Sequence, residues 1–381
     1  MPHPPVPESR FRDRPLLVFW EMTKACSLAC FHCRANAQLQ GDADELTTAE
    51  GRQLIDELAA WGRPRPILIL TGGDCMMRTD LADLSRYARE RLVPVAIAPS
   101  VTPRLTVDAL KELRDAGVSS ASLSMDGSRG ATHDGVRGIP GHFASTMAAI
   151  DRLKACGFTV QINTTVMPAN LHDLADIAAI LHEHEVDVWE VFFLITTGRG
   201  SDIVSTTPAE NEDVCHFLVD ASRYGFTVRT VEAPFFRRVA RDRRLGRPTS
   251  TGSLYDELHG RLEHLLGPAS APVRAPSAAT RDGKGIIFVS SKGDVYPSGF
   301  LPLPLGNVRS ASLASLYRDH DLLRAIRDAS FEGPCGTCEL SDHCGGSRSR
   351  AFATFDNALA SDPGCVLVGS GSTDFSPTMP S

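Results

Sequence analysis

The chain has 381 residues, of which 42% are hydrophobic and 22% charged, as is ordinary for a soluble globular protein. Lys and Arg number 39 against 46 Asp and Glu, and this net charge of −7 argues against a general nucleic-acid binder. No apolar run is long enough to span a membrane, and the Pro- and Arg-rich residues 1–14 lack the apolar region of a secretory signal. We therefore expect a cytoplasmic protein in which residues 1–14 form a flexible arm.

From Leu16 to about Thr230, strand-like apolar runs alternate with amphipathic helical patterns in six or seven βα units. Strands alternating with helices predict a parallel sheet with helical crossovers. Because the count is below eight, we expect an α/β fold with a partial (β/α)6 TIM-like barrel over residues 15–230. In such a barrel, functional residues lie at the C-terminal ends of the strands.

The rest of the chain divides into three predicted segments. Residues 231–285 are Arg- and Pro-rich and predict a linker with two helices. A β-hairpin near 286–297 opens a small C-terminal α+β domain over residues 286–365. The Gly-, Ser- and Pro-rich residues 366–381 predict a disordered tail.

Seven of the ten cysteines fall into two dense groups, at residues 26–33 and 335–365. In a chain without an export signal, cysteines are reduced thiols or metal ligands rather than a disulfide framework. The two groups therefore predict two metal sites. Their members are Cys26, Cys30 and Cys33 in the first, and Cys335, Cys338, Cys344 and Cys365 in the second.

The first group, with the spacing Cys-x3-Cys-x2-Cys, directly follows the first predicted strand. Three thiolates this close can hold three corners of an iron–sulfur cubane, and the fourth iron is then open for catalysis. The alternatives are a zinc site and plain structural cysteines. Apart from His32, no fourth zinc ligand lies at zinc-finger spacing from the three cysteines.

This spacing is typical of the radical S-adenosylmethionine (SAM) superfamily, whose motif carries an aromatic residue at the position of His32. Gly72-Gly73-Asp74, after the second strand, resembles the Gly-Gly-Glu motif that receives the SAM ammonium group, with Asp in place of Glu. Ser-Leu-Ser-Met-Asp-Gly at 122–127 and His-Asp-Gly-Val-Arg-Gly at 133–138 resemble a run in radical SAM enzymes that modify peptides and tetrapyrroles. The resemblance covers residues 16 to about 230.

The resemblance implies a set of SAM contacts. Ser124 and Arg137 are expected at the SAM ribose or carboxylate, and Arg suits a carboxylate because its planar fork binds it bidentately. Asn163 and the turn containing Gly198 and Arg199 also match family positions. Gly198 would let adenine lie against the backbone, and Arg199 would reach SAM or the substrate.

The second cysteine group resembles the SPASM/twitch extension of radical SAM enzymes. The full SPASM pattern binds two auxiliary clusters, but Ser298, Ser347 and Arg348 stand where two of its cysteines are usual. The resemblance therefore implies one fully ligated auxiliary [4Fe–4S] cluster on the second cysteine group. Zinc is the alternative occupant, because four thiolates also make a zinc site.

As a whole, the resemblance implies an enzyme that reductively cleaves SAM to a 5′-deoxyadenosyl radical and abstracts hydrogen from a bound substrate. The substrate would be a peptide or a tetrapyrrole side chain, and the electron donor a flavodoxin or ferredoxin. With only 15 residues before the first strand, a peptide substrate would call for a separate peptide-recognition partner protein. The alternatives are a radical SAM dehydrogenase or epimerase of a small metabolite, and a non-catalytic iron–sulfur or zinc scaffold.

Two further features have open roles. The arginine-rich stretch 237–247 predicts either a solvated helix face or a docking patch for carboxylates. Cys75 lies beside the expected SAM site, where either a buried structural thiol or a redox role is conceivable.

Overall fold

A computed structural model describes residues 10–276 and 279–369. In this part of the chain, one sheet contains eleven strands in the order β11-β10-β9-β1-β2-β3-β4-β5-β6-β7, and β8 pairs with β9. The strands are β1 Leu17–Glu21, β2 Ile67–Thr71, β3 Val95–Ile97, β4 Ser120–Ser124, β5 Thr159–Val166, β6 Val188–Phe193, β7 Thr227–Val231, β8 Arg281–Asp282, β9 Gly285–Val289, β10 Asp294–Tyr296 and β11 Gly306–Asn307.

Helices connect these strands. They are α1 Arg10–Asp13, α2 Thr48–Ala60, α3 Leu81–Glu90, α4 Val107–Asp115, α5 Gly130–Arg137, α6 His142–Ala155, α7 Leu174–Glu183, α8 Pro208–Ala221, α9 Phe236–Arg244, α10 Ser253–Leu266, α11 Leu313–Asp319, α12 Asp321–Arg327, α13 Gly333–Thr337, α14 Arg348–Phe355 and α15 Val366–Gly369. None of the described helices is long and apolar enough to cross a membrane.

Strands β1 to β7 are parallel neighbours in chain order, and a helix crosses between each successive pair. The sheet does not close on itself, because β7 and β11 form its two edges. The prediction of an α/β fold with a partial barrel is thus confirmed.

The alternation of residues along the strands separates the core from the concave face. Side chains such as Trp20 and Trp189 point to the helices and are fully buried. The alternate residues of the strands point to the concave side. Among these, Ser124 on β4 and Glu190 on β6 are only half-buried. Since successive side chains of a strand face opposite sides, polar groups collect on one face without entering the core.

The C-terminal hairpin continues the barrel sheet instead of forming a separate one. Strand β9 pairs in parallel with β1, from Leu17 opposite Ile286 to Trp20 opposite Val289. An apolar strand such as β9 suits the interior of a sheet, because both of its faces can be covered there. The segment predicted as a small C-terminal domain, residues 286–365, is therefore joined to the barrel by strand pairing.

Three of the predicted segments contain regular structure. Within the predicted arm, α1 buries Phe11, whose carbonyl accepts a hydrogen bond of 2.6 Å from Tyr317 Oη. Within the predicted linker, α10 packs against α7 and α8. Within the predicted tail, Val366–Gly369 is helical. Residues 1–9 and 370–381 lie outside the described residues.

Candidate iron–sulfur and SAM site

The first cysteine group lies in the loop after β1, at the end of the sheet where the parallel strands have their C-termini. Cys26 and Cys30 are buried together with Leu28, and Cys33 packs against them. None of the three forms a disulfide. The Leu28 backbone N–H lies 3.3 Å from Cys26 Sγ, so this sulfur already has a donor suited to a thiolate. The predicted grouping of the three thiols is therefore present.

His32, between Cys30 and Cys33, gives a test of whether a bound group fits here. Its ring is buried, and burial lowers the pKa of His32 to about 4, which favours the neutral imidazole. His32 Nδ1 is buried and has no hydrogen-bond partner among the described residues. A buried polar atom without a partner calls for an explanation, and an absent ligand supplies one. The loop therefore has the features of a site that a bound cofactor completes.

Gly72 and Gly73 are required by close packing of the end of β2 against the cysteine loop. A Cβ atom at Gly72 would lie 2.6 Å from the Thr23 carbonyl oxygen, and one at Gly73 would lie 2.5 Å from the Ala25 carbonyl oxygen. The Gly73 N–H also donates to Thr23 O at 2.8 Å. Side chains at these positions would push the cysteine loop away from the sheet.

Asp74, whose carboxylate is expected to receive the SAM ammonium group, has partners within the chain, and the expected SAM contact stays a prediction. The side chain is fully buried and accepts hydrogen bonds from Met76 N at 3.1 Å, Ser100 N at 3.3 Å and Thr102 Oγ1 at 3.0 Å. Burial raises its pKa. Because Asp is one methylene shorter than Glu, the carboxylate stays beside its own backbone. It holds Ser100, whose hydroxyl lies 3.6 Å from Cys26 Sγ.

Arg137 ends α5 and points to the first cysteine group. Its guanidinium forms a buried ion pair with Asp126, and its Nη1 lies 3.6 Å from Cys30 Sγ. Burial alone would raise the pKa of Asp126, but the charge of Arg137 lowers it below its usual value. Asp126 also accepts from Thr165 N at 2.7 Å. The expected contact of Arg137 with the SAM carboxylate stays a prediction, since the observed partner of Arg137 is Asp126.

Sequence reasoning missed a histidine pair that supports this loop. The Asp126 N–H donates to His133 Nδ1 at 3.1 Å, and His133 Nε2 lies 2.8 Å from His142 Nδ1. His142 Nε2 lies 3.1 Å from the carbonyl oxygen of Val101. Burial lowers the pKa of His133 to about 4, so the pair is neutral at physiological pH. The available signal was the His-Asp run beginning at His133.

Gly198 and Arg199 contact the cysteine loop. A Cβ atom at Gly198 would lie 2.6 Å from the carbonyl oxygens of Cys33 and Arg34. The Arg199 N–H donates to Cys33 O at 3.0 Å, and Arg199 Nε donates to Cys30 O at 3.0 Å. Its Nη1 donates to Ala37 O at 3.2 Å. The expected contacts of these two residues with adenine, SAM or substrate stay predictions, and the contacts observed in this structure are with the loop.

Ser124 and Asn163 are brought together as expected. They are direct partners across the β4–β5 pairing, and both are half-buried on the concave face. Asn163 Oδ1 accepts from Gln161 Nε2 at 2.8 Å, and the same amide lies 2.9 Å from Glu190 Oε2. These groups give the concave face a polar strip near the cysteine loop.

The four cysteines of the second group line one cavity of about 180 Å³. Two of their sulfurs receive backbone N–H groups at 3.4 Å, Cys335 from Asp362 and Cys338 from Leu340. Burial raises the pKa of Cys365 to about 12 while no metal stabilises its thiolate. The cavity far exceeds the volume of ~30 Å³ that one water molecule occupies in the liquid.

Four cysteine thiolates can hold either a zinc ion or an iron–sulfur cluster. Within residues 10–276 and 279–369, no group of three or more His, Cys, Asp or Glu side chains is placed to hold a metal ion. A tetrahedral zinc site needs four ligand atoms within ~2.3 Å of one point. In a cubane each cysteine binds a different iron, so the sulfurs stand further apart around a larger volume.

A buried polar network includes Ser298 and Ser347, two of the residues that stand where cysteines of the full SPASM pattern are usual. Ser298 Oγ lies 3.4 Å from Ser349 Oγ, which lies 2.8 Å from Asp282 Oδ2 and 3.1 Å from Glu232 Oε1. Ser347 Oγ donates to Glu232 as well. Glu232 directly follows β7 with a positive φ of 60°. Burial, and then the charge of Asp282, raise the pKa of Glu232, which favours a protonated side chain.

The arginine-rich helix α9 is neither a free docking patch nor a fully solvated face. Arg238 pairs with Glu212, and Arg243 pairs with Asp220 at 2.7 Å. Arg237 is directed inward and donates to the carbonyl oxygen of His343 at 2.8 Å. These arginines hold α9 against α8 and against the loop of the second cysteine group.

Cys75 is fully buried in the main hydrophobic core. Burial also raises the pKa of its thiol. A redox or hydrogen-donor role is therefore not supported, and the structural interpretation of this cysteine stands.

Comparison with known proteins agrees with this site. The family model described as the Radical SAM superfamily matches residues 20–181. The chain is 34% identical to the AdoMet-dependent heme synthase of Methanosarcina barkeri over 93% of its own length and 97% of that protein. The chain belongs to the radical SAM superfamily and is an enzyme, and the family implies SAM and a [4Fe–4S] cluster as cofactors.

More distant relatives include peptide-modifying enzymes. The chain is 27% identical to the mycofactocin maturase MftC of Mycobacterium ulcerans over 93% of this chain and 88% of that protein. Among solved structures, anSMEcpe with bound AdoMet matches with a TM-score of 0.64 and 17% identity, over 92% of this chain and 94% of that chain. This last likeness concerns the fold alone.

Proposed function

We propose that this protein is a radical SAM enzyme that modifies a tetrapyrrole of the haem type. The observation that carries the proposal is the 34% identity to AdoMet-dependent heme synthase, which extends over 93% of the chain. Two further proteins with the same name, from Oleidesulfovibrio alaskensis and Nitratidesulfovibrio vulgaris, are 34% and 33% identical over 92% of the chain. The peptide-modifying relatives are less similar.

The residues of the site have separate tasks in this proposal. Cys26, Cys30 and Cys33 would hold the catalytic cluster, and Arg199 fixes the loop that presents them. When bound, the cluster and SAM would supply reductive C–S cleavage and hydrogen abstraction from an unactivated C–H bond. The second cysteine group would hold an auxiliary cluster that passes electrons, with a flavodoxin- or ferredoxin-type protein as the external donor.

The concave face supplies the substrate position. Its polar strip of Ser124, Asn163 and Glu190 runs across three neighbouring strands, and Ser124 ends β4 at the C-terminal end of the sheet, where substrates of such barrels bind. The substrate side chain would have to reach the cysteine loop, which would hold the cluster, while water is kept out. A tetrapyrrole presents propionate side chains at its rim, and we propose that one of these loses the hydrogen atom.

The test uses protein reconstituted without oxygen and supplied with SAM, a reductant and iron coproporphyrin. Deuterium placed on the propionate carbons should appear in 5′-deoxyadenosine. Mass spectrometry should show that the mass of the tetrapyrrole has changed in the same reaction. The variant with all three cysteines 26, 30 and 33 changed to Ala serves as the control without catalysis. Formation of 5′-deoxyadenosine without deuterium and without a change in the tetrapyrrole would contradict the proposal and favour a peptide substrate.

A further inference from the structure

Arg34, the residue after Cys33, lies at a corner of the concave face. Its guanidinium carbon lies 4.6 Å from the ring centroid of Phe288 and 5.6 Å from that of Phe300. The Phe300 ring is in turn 6.1 Å from the ring of Phe192 on β6. A cation is therefore held among aromatic rings directly beside a cluster ligand.

These rings belong to the concave side of the sheet. Phe288 on β9 is the direct partner of Phe19 on β1, and side chains of partnered residues lie on the same face. Glu21, two residues after Phe19, points to that face as well. The corner thus contains apolar walls from three strands, with Arg34 and Glu21 as its charged groups.

The guanidinium has donors to spare. Of its five N–H groups, one contact is evident within the described residues, a bond of 3.4 Å from Nη1 to the carbonyl oxygen of Gly299. The nearest oxygen of Glu21 is 3.6 Å from Nη1, too far for a good hydrogen bond. Burial raises the pKa of Glu21, so this carboxyl neutralises Arg34 less than an exposed carboxylate would.

We infer that Arg34 binds a carboxylate of the substrate while the surrounding phenylalanine rings contact its flat apolar body. This inference rests on the proposed function, since a propionate-bearing tetrapyrrole has both chemical features. The planar fork of Arg matches a carboxylate bidentately, and aromatic rings favour a planar partner. Because Arg34 follows Cys33, the bound carboxylate arm lies next to the catalytic cluster, where hydrogen abstraction would occur.

The experiment compares binding of iron coproporphyrin and of its methyl ester to the reconstituted holoenzyme, followed by the change in porphyrin absorbance. The variants are Arg34→Gln, Arg34→Lys and, as a matched control, Arg86→Gln on the outer face of α3. Arg34→Gln should weaken binding of the free acid by about ten- to a hundredfold, the usual range for a charge-assisted hydrogen bond, and leave binding of the ester unchanged. Arg34→Lys should recover part of the loss, and Arg86→Gln should bind as the wild type does.

Each other outcome has a distinct meaning. Iron content and ester binding equal to wild type establish that Arg34→Gln is folded and loaded. If this loaded variant binds the free acid as tightly as the wild type does, the inference about Arg34 is wrong while the proposed function stands. If the wild type binds neither porphyrin, the proposed function fails and this inference fails with it.

Discussion

Arg199 and Cys30 lie 169 positions apart in the chain, and a hydrogen bond of 3.0 Å joins the Arg199 Nε to the Cys30 carbonyl oxygen. With its further bonds to Cys33 O and Ala37 O, this arginine fastens the cysteine loop to the turn after β6. The loop has few regular backbone hydrogen bonds of its own, so its shape depends on such distant partners.

The first prediction is that Arg199→Ala loosens the cysteine loop. Losing hydrogen bonds that a charged group donates costs about 1.5–3 kcal/mol each, and the freed carbonyl oxygens add to this. We expect the variant to retain less iron after desalting and to cleave SAM more slowly. The matched control is Arg223→Ala, which also removes two bonds to carbonyl oxygens, those of Ala269 and Ala271, away from the cysteines. Equal iron retention in both variants would contradict a special role for Arg199.

The second prediction concerns the number of clusters. Fully reconstituted wild type should carry about eight irons, from two cubanes. Changing the three cysteines 26, 30 and 33 to Ala should leave about half of this iron and abolish reductive SAM cleavage. Iron analysis and quantification of 5′-deoxyadenosine check both parts. Continued SAM cleavage by the triple variant would show that the catalytic cluster is held elsewhere.

The third prediction is that the second cysteine group holds iron and sulfide instead of zinc. All four thiols line one cavity of about 180 Å³, which is more room than a single ion needs. Protein isolated without oxygen should contain iron and acid-labile sulfide at this site and no stoichiometric zinc. The Cys335→Ser and Cys338→Ser variants should lose this iron but still cleave SAM in an uncoupled reaction. One zinc per chain, together with only the iron of the first cluster, would overturn the assignment.

The sequence was informative about the fold and the cysteines because these leave regular traces. Alternating patterns predict strands and helices, and ligand spacing is local in the chain. Long-range partners leave no such trace, so the contacts of Arg199 with the cysteine loop could not be predicted from the sequence. The same holds for the Asp74 carboxylate, which accepts hydrogen bonds from Ser100 and Thr102. The pairing of β9 with β1 was missed because an apolar run does not identify its neighbour.

The fourth prediction concerns pH and Glu232. Burial raises the pKa of this carboxyl, so the folded protein keeps a proton that an unfolded glutamate, with a pKa of about 4.3, has lost. By linkage, Glu232 makes the free energy of unfolding fall as pH rises from that value through the folded pKa. Glu232→Gln keeps the hydrogen-bonding shape without the titration, so its stability should depend less on pH.

Thermal unfolding of the reconstituted protein at several pH values from about 5 to 8 measures this difference. Relative to wild type, Glu232→Gln should gain stability as pH rises, while Glu112→Gln on an exposed surface should follow the wild-type curve. A constant offset between Glu232→Gln and wild type over this range would mean that folded Glu232 holds no more proton than unfolded glutamate does, and would contradict the prediction.

The last prediction concerns Arg137, for which the family resemblance and the observed contacts point to different partners. The resemblance implies the SAM carboxylate, whereas the guanidinium pairs with Asp126 beside Cys30. Removing Arg137 alone would leave a buried charge on Asp126, which typically costs about 3–5 kcal/mol, so a single variant confuses folding with binding.

The double variant Arg137→Gln with Asp126→Asn separates the two roles, because it removes both charges and keeps similar shapes. If Arg137 contacts SAM, the double variant should keep its iron and bind SAM about ten- to a hundredfold more weakly, the range for a lost charge-assisted hydrogen bond. Asp126→Asn alone should bind SAM at least as well as wild type, since the arginine is then released from its partner. Calorimetric SAM titrations of the loaded proteins measure these affinities. Wild-type affinity in the double variant would mean that Arg137 serves only to pair with Asp126 beside the cluster loop, and the SAM carboxylate would then need another cationic partner.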